Sequence, residues 1–251
     1  MSDRRTSGGG KSTPGYQPRA TSSTSTYVLV GVAVVVVVGL IVGGILWNSN
    51  RGSEGGTVDE SVLNQNASLI IGAPGAPTTI DVFEDFLCPY CKQFEQQSGP
   101  AITRAVDAGT LRVRYHMLTF LNRASASGDY SSRAAAALQC VGEGEQRDVF
   151  VKFHAALFAA QPAENGDTDL SNDDLARIAS EQGAAPPTQQ CISSGAKIGE
   201  ANKAAEESQN QLSTATGGQV GTPTVLSGGD PVADIMDGTG WLDKLLNKGD
   251  G

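Results

Sequence analysis

Two of the four cysteines, Cys88 and Cys91, stand two residues apart in the run Cys88-Pro89-Tyr90-Cys91. A pair at that spacing can staple a loop, supply half of a metal site, or exchange a disulfide with another thiol. The flanking residues discriminate among these. Upstream, Thr79-Ile80-Asp81-Val82-Phe83-Glu84-Asp85-Phe86 is β-branched and aromatic and predicts a strand ending just before Cys88. Downstream, Phe94, Ser98, Ile102 and Val106 recur every four residues, which predicts a helix that Pro100 kinks and Gly109 closes. Cys88 then stands at a helix N-terminus, where unpaired N–H groups and the helix dipole favour a thiolate. A thiol of lowered pKa is nucleophilic at neutral pH and also a good leaving group. Cys91 is placed to reach back and resolve a mixed disulfide, and Pro89 suits the first turn because its missing N–H has no partner there anyway. As a staple, so short a loop gains little. Zinc needs further ligands, and the chain has 2 His and no second CxxC, so no metal site is expected.

A second feature lies far along the chain, at Val220-Gly221-Thr222-Pro223-Thr224-Val225. The residue before proline is pushed to an extended conformation, and Thr224-Val225-Leu226 continues as a strand. A proline opening a strand can carry a cis peptide that exposes the preceding backbone for pairing. Taken alone, the segment is weak evidence and more often marks an ordinary turn.

Together, "DFLCPYCKQFEQQSGP" and "VGTPTVL" resemble the thioredoxin superfamily, and more narrowly the DsbA-like group of exported disulfide oxidoreductases, over roughly residues 66–247. The resemblance implies an α/β thioredoxin fold with a helical domain inserted over about 125–215. It implies catalysis by Cys88 and Cys91 without a cofactor. It also implies a cis Thr222–Pro223 peptide packed on the Cys pair, in a loop that binds the substrate's extended chain as an added strand. Many relatives carry a buried acid six residues before the first cysteine, where this chain has Val82. Glu84, on the same strand face, and Asp85, which matches an acid often found in the group, are the candidates for proton transfer; a solvated or helix-capping role is the alternative. The histidine sometimes present between the two cysteines is replaced by Tyr90, while His116 and His154 read as core or surface residues.

Other segments supply the remaining elements. Leu111 to Phe120 alternates early on and predicts a strand. Helical stretches follow: an Ala-rich run capped at Asp129 and reaching Cys140, Arg147 to Ala160, one opening at Leu170 to Asp174 and ending at Gly183, and one from Ile192 or Ile198 to Leu212. Ile235 is assigned to a last short strand and Trp241 to Leu246 to a closing helix. Cys140 and Cys191 both fall in the insert. Elimination of the 88–91 pair leaves a structural disulfide between them, which would close a loop of about 50 residues and contribute roughly 4 kcal/mol. A second redox pair stays open, because sequence does not set connectivity.

The N-terminal residues address cellular location. Tyr27 to Trp47 runs without a charge, long enough at about 1.5 Å per residue to cross a hydrocarbon core of roughly 30 Å. Arg4, Arg5, Lys11 and Arg19 against Asp3 give residues 1–50 a net charge of +3, while the rest of this −9 chain carries −12. The positive-inside bias then predicts a disordered cytoplasmic tail over 1–26, a transmembrane signal anchor over 27–47, a linker over 48–65 and an extracytoplasmic domain over 66–247. A cleaved signal peptide is the competing reading, but the apolar core is longer than usual and no small-x-small site follows it. So acidic a body excludes nucleic acid as a partner. The expected function is a thiol-disulfide oxidoreductase tethered to the outer face of a cell membrane, introducing disulfides into exported proteins with free thiols. By the resemblance it is reoxidised by a quinone-linked membrane protein of the DsbB or vitamin K epoxide reductase type. A reductase or isomerase of the same fold, or a non-enzymatic scaffold, are the alternatives.

Overall fold

The computed structural model describes residues 58–248. The tail over 1–26, the anchor over 27–47 and most of the linker lie outside the described residues. Among those described, no helix is long and apolar enough to cross a membrane.

Five strands form one mixed sheet: β1 (Leu69–Ile71), β2 (Thr78–Glu84), β3 (Leu111–Met117), β4 (Thr224–Ser227) and β5 (Asp230–Pro231), in the order β1-β3-β2-β4-β5. The central pair β2–β3 is parallel, with Val82 opposite Tyr115, and the other pairings are antiparallel. The helices are α1 (Glu60–Asn66), α2 (Pro89–Asp107), α3 (Tyr130–Gly144), α4 (Arg147–Ala159), α5 (Asn172–Glu181), α6 (Pro186–Ser193), α7 (Ile198–Ala215) and α8 (Gly240–Lys248). A parallel neighbour requires a crossover, and α2 provides it between β2 and β3. Helices α3 to α7 then lie between β3 and β4.

Each face of the sheet has its own core. Ile80, Val82, Val113 and Tyr115 join Phe94, Ile102, Phe150 and Phe158 on one side. Phe83 and Leu226 meet Leu63, Leu118, Leu212 and Ala215 on the other. Helix α2 runs unbroken through Pro100 and buries Cys91, Phe94, Ser98, Ile102 and Val106, the stripe its spacing predicts. Trp241 of α8 stacks on Phe94 and donates its indole N–H to Ser98 Oγ at 3.2 Å.

Several sequence expectations require correction. Residues 60–65, assigned to the linker, belong to α1. Its N-terminus is capped by Asp59, which accepts from the N–H groups of Ser61 and Val62, and Leu63 is fully buried. Strand β3 stops at Met117, and Phe120–Ala124 forms a 3-10 turn instead of continuing it. Of the two starts read for the helix reaching Leu212, Ile198 holds, and Cys191 and Ile192 lie in a separate helix, α6, which Pro186 opens at its first turn. Ile235 is in no strand; the edge strand is Asp230–Pro231. Strand β1 is an addition to the elements the sequence predicts. It ends at Gly72, where φ is +96° and a Cβ would overlap the Leu111 carbonyl oxygen, so a side chain would force the strands apart.

Candidate active site

Strand β2 ends at Glu84, and the chain turns through Asp85, Phe86 and Leu87 before α2 begins. Three contacts fix that turn. Cys88 N–H donates to Asp85 O at 2.9 Å. The Gln161 side-chain amide, just past α4, donates to the carbonyls of Phe86 and Cys88 at 2.9 and 2.8 Å. Cys88 is the extended N-cap residue of α2, with Pro89 following at the first helical position. Both Cys88 and Cys91 are free thiols; Cys91 is wholly buried, whereas the Tyr90 side chain between them is exposed. From the far end of the chain, the cis Thr222–Pro223 peptide brings the Thr222 carbonyl to 3.3 Å from Cys88 Sγ, which donates to it.

The two sulfurs are driven apart in acidity. A hydrogen bond from the Cys91 side chain, opposed by burial and aided by Thr222 and by the N–H groups of Cys91 and Tyr90, brings the Cys88 thiol down to about 6. Burial pushes Cys91 well above the ordinary thiol range, and the neighbouring Cys88 and Glu84 push it further. One cysteine is thus a stable thiolate near neutral pH and the other a protonated partner, the division that an attack-and-resolve sequence needs.

Both acidic candidates are fully buried, so neither takes the solvated alternative. They differ in their partners. Asp85 accepts from Leu87 N–H at 2.9 Å, Leu121 N–H at 3.1 Å and Ser131 Oγ at 2.6 Å, and burial still raises it to about 6. Glu84 meets His154 Nε2 at 2.9 Å, and Glu95 of α2 lies 3.6 Å from His154 Nδ1. Burial raises Glu84 well above the carboxylate range, with the charge of Cys88 adding to it. Burial and the charge of Glu84 raise Glu95 to about 8. Sequence reasoning does not find Glu95, and it gives His154 no role beside the cysteines. The available signal for Glu95 is its position four residues after Cys91, one turn on along the buried face of α2.

Cys140 and Cys191 form a disulfide that joins α3 to α6. It lies within the inserted helices and ties them to one another. His116 of β3 is buried and bonds to Asp81 at 2.8 Å and to Ser208 at 3.2 Å. Glu84, Glu95 and His154 place one atom each, of a kind that can ligate a metal, within 4.8 Å of the others.

A family model described as thioredoxin matches residues 64–244. The chain is 37% identical over 191 residues to the serine/threonine-protein kinase PknE of Mycobacterium tuberculosis, a match covering 75% of this chain and 33% of that protein. The chain therefore spans about a third of the length of the curated relatives it matches first. A solved structure of the reduced disulfide bond oxidoreductase DsbG from Mycobacterium tuberculosis is 33% identical, with a TM-score of 0.54 over 73% of this chain and 91% of that one. MdbA, a thiol-disulfide oxidoreductase from Corynebacterium diphtheriae, is 26% identical, with a TM-score of 0.63 over 77% and 96% of the two chains. With a cysteine pair split in acidity at the head of α2, a cis-proline loop against it and these likenesses, the chain belongs to the thioredoxin family, and its described domain is of the DsbA- and DsbG-like thiol-disulfide oxidoreductase type.

Proposed function

We propose that this chain is an extracytoplasmic thiol-disulfide oxidoreductase, anchored through residues 27–47, that introduces disulfides into exported proteins. The observation that carries the reading is the Cys88 thiol, brought down to about 6 at the head of α2 and set against the Thr222 carbonyl. In the oxidising direction a substrate thiolate attacks Cys88 Sγ of the 88–91 disulfide. The S–S bond breaks, its electron pair leaves on Cys91 Sγ, and that sulfur takes up a proton. A second substrate thiolate attacks the substrate sulfur of the mixed disulfide and releases Cys88 as a thiolate. The substrate has lost two electrons, which the chain holds as a dithiol until a quinone-linked membrane protein of the DsbB or vitamin K epoxide reductase type removes them. Thr222 and Pro223 hold the substrate backbone alongside Cys88, and Glu84 exchanges the proton of Cys91. Tethering raises the local concentration of newly exported chains and of the reoxidising partner.

Low acidity of Cys91 and high acidity of Cys88 both bear on direction. Stabilising the Cys88 thiolate stabilises the reduced protein and so strengthens it as an oxidant. A thiol at about 6 lies between the nucleophilic cysteines of thioredoxin, about 7, and of DsbA, about 3.5. The expected potential accordingly falls between about −270 and about −120 mV. Equilibration of the full chain, in detergent, against graded glutathione ratios, read by alkylation and intact mass, measures it. A potential in the upper half of that interval supports the oxidase. One at or below about −270 mV reverses the flow and makes the chain a reductase. Absence of any reversible transition would sink the enzymatic reading and leave the scaffold.

A further inference from the structure

Gln161 follows the end of α4, among the inserted helices, and is 73 residues along the chain from Cys88. Its side-chain nitrogen donates to the Phe86 carbonyl at 2.9 Å and to the Cys88 carbonyl at 2.8 Å. Both hydrogens of one amide are thus used on the turn that carries the nucleophile. The opposite amide orientation would set its oxygen against two carbonyl oxygens, so the donor role is forced. The Cys88 carbonyl also accepts from Cys91 N–H at 3.1 Å and Lys92 N–H at 3.3 Å, the first bonds of α2. Aromatic packing holds α4 against the same turn, with the Phe86 ring centre 4.8 Å from that of Phe158 and 5.7 Å from that of His154. The Cys88 sulfur, in turn, is met by the N–H groups of Tyr90 and Cys91. Rotating the Cys88 peptide would swing those N–H groups off the sulfur. A donor fixed on the Cys88 oxygen resists that rotation and offsets part of the carbonyl's negative charge beside the thiolate.

We propose that Gln161 is a positioning residue for Cys88: by fixing the Phe86 and Cys88 carbonyls it keeps the Tyr90 and Cys91 N–H groups on the sulfur, and so lets the helical insert set how strongly the 88–91 pair oxidises. This rests on the redox role proposed above and deepens it. Both cysteines are free thiols, so the clamp described belongs to the reduced form. In the disulfide the Cys88 sulfur carries no charge, and N–H groups directed at it gain little. The clamp therefore favours one redox state over the other, which a bond that only holds the fold together does not. Favouring the reduced form makes the disulfide a stronger oxidant. The titratable groups that act on Cys88 are Cys91 of α2 and Glu84 at the end of β2. Lys92 directs its ammonium elsewhere, to the Ala159 carbonyl at 3.2 Å. Gln161 carries no charge, so an apolar replacement leaves all of these in place and alters only the hold on the turn.

The test uses the full chain in detergent and three variants. Gln161→Met keeps the length of the side chain and removes its donors. Gln161→Glu keeps the shape and sets an oxygen against the two carbonyls. Gln189→Met removes a bond of the same kind elsewhere in the insert, from Gln189 to the Ala184 carbonyl at 2.8 Å. The Cys88 thiolate is titrated by its ultraviolet absorbance, and the 88–91 pair is equilibrated against graded glutathione ratios at pH 7. With Gln161→Met the inflection, at about 6 in the wild type, should move up by about one pH unit, the scale of one lost hydrogen bond. At pH 7 that shifts the glutathione equilibrium about fivefold toward the disulfide, a potential about 20 mV lower. Gln161→Glu should exceed both effects, and Gln189→Met should produce neither. Urea unfolding separates positioning from a merely structural bond. Gln161→Met should lower the midpoint of the dithiol form more than that of the disulfide form, whereas a structural bond lowers both alike. Equal lowering with an unchanged titration overturns the proposal. So does a shift with Gln189→Met as large as that with Gln161→Met, since any loosening of the insert would then suffice. If the wild type itself exchanges disulfides with glutathione at no ratio, the redox reading fails and the clamp's role with it, a result separate from either of these.

Discussion

Strand β2 carries two buried acids on opposite faces of the sheet, each against a histidine, and the two constellations have opposite characters. On one face Asp81 is clamped by Arg114, Nε to Oδ1 at 2.6 Å and Nη2 to Oδ2 at 2.5 Å, with His116 adding a bond at 2.8 Å. Arg114 also reaches Glu60 at 2.6 Å, which ties α1 to the sheet. On the other face Glu84, Glu95 and His154 cluster, and among the described residues no Lys or Arg is their ion-pair partner. Burial would raise both acids; the guanidinium and imidazole overcome it at Asp81, which lies below its ordinary value, while nothing does so at Glu84. One cationic side chain therefore separates a fixed charge that holds structure from a mobile proton that can serve chemistry. The second set lies on the side of the sheet where the cysteines are.

Removing that cation should produce the largest effect. Arg114→Met leaves Asp81 ionised in the interior beside a histidine whose pKa burial has lowered. Loss of one partner from a buried ion pair costs about 3–5 kcal/mol, which urea unfolding would register as a lower midpoint. Glu60→Gln, which touches the same guanidinium from a 56% exposed side chain, should cost under about 1 kcal/mol. Equal losses from the two substitutions would mean that the α1 contact, and not the buried charge, carries the effect.

The two faces should also respond oppositely to pH. Glu95 titrates at about 8 folded and near 4.5 unfolded, so between those values the folded state holds the extra proton. Stability then falls as pH rises through that window, at up to about 1.4 kcal/mol per unit. Asp81 has the reverse sign: its lowered folded value adds stability above the unfolded 3.8, lost as pH falls below it. Urea midpoints of wild type and Glu95→Gln at pH 5, 6, 7 and 8 should converge at the acid end, with the variant more stable at the alkaline end. Parallel curves would show that Glu95 is ionised or protonated throughout and that the faces do not differ in this way.

How much of this is legible in sequence follows from where the information lies. The strand, CxxC and helix are readable because each rests on spacing within a few residues: β-branched positions before Cys88, the four-residue stripe after it, Pro89 at the turn. Helix α1 is not, because its short polar sequence is held by remote partners. Asp59 N–H donates to Gln211 of α7, and Leu63 enters the core with Phe83 and Leu212. The separate helix α6 merges with its successor in sequence because the break, at Ser194 to Lys197, has no proline and only one glycine, Gly195. The acids of β2 are ambiguous because a central strand is covered on both faces, so alternation no longer distinguishes inside from outside. Glu95 and His154 escape for a different reason. An acid on a helix followed by Gln96 and Gln97 reads as solvent-facing, and only the packing of α2 against α4 brings it to a histidine on another helix.

Asp85 offers the smallest effect and the sharpest comparison, since it is buried like Glu84 and adjacent to it but satisfied like Asp81. Its Oδ1 accepts from Leu87 N–H and Ser131 Oγ, and its Oδ2 from Leu121 N–H. An asparagine can keep its carbonyl oxygen on the first two donors, which leaves the Leu121 N–H facing an amide NH₂. One buried donor loses its acceptor, worth about 1–2 kcal/mol in urea unfolding. Because those donors lie on the turn before α2, the 3-10 turn and α3, the loss loosens the joint between the sheet and the inserted helices. It does not touch the Glu84, Glu95 and His154 cluster. Asp85→Asn should therefore lower stability slightly and leave its pH dependence above about 6 unchanged, where Glu95→Gln alters it. A slope between pH 7 and 8 that changes with Asp85→Asn as far as with Glu95→Gln would place the exchangeable proton on Asp85, and the division between anchoring and proton-carrying acids would fail at the residue that should mark its edge.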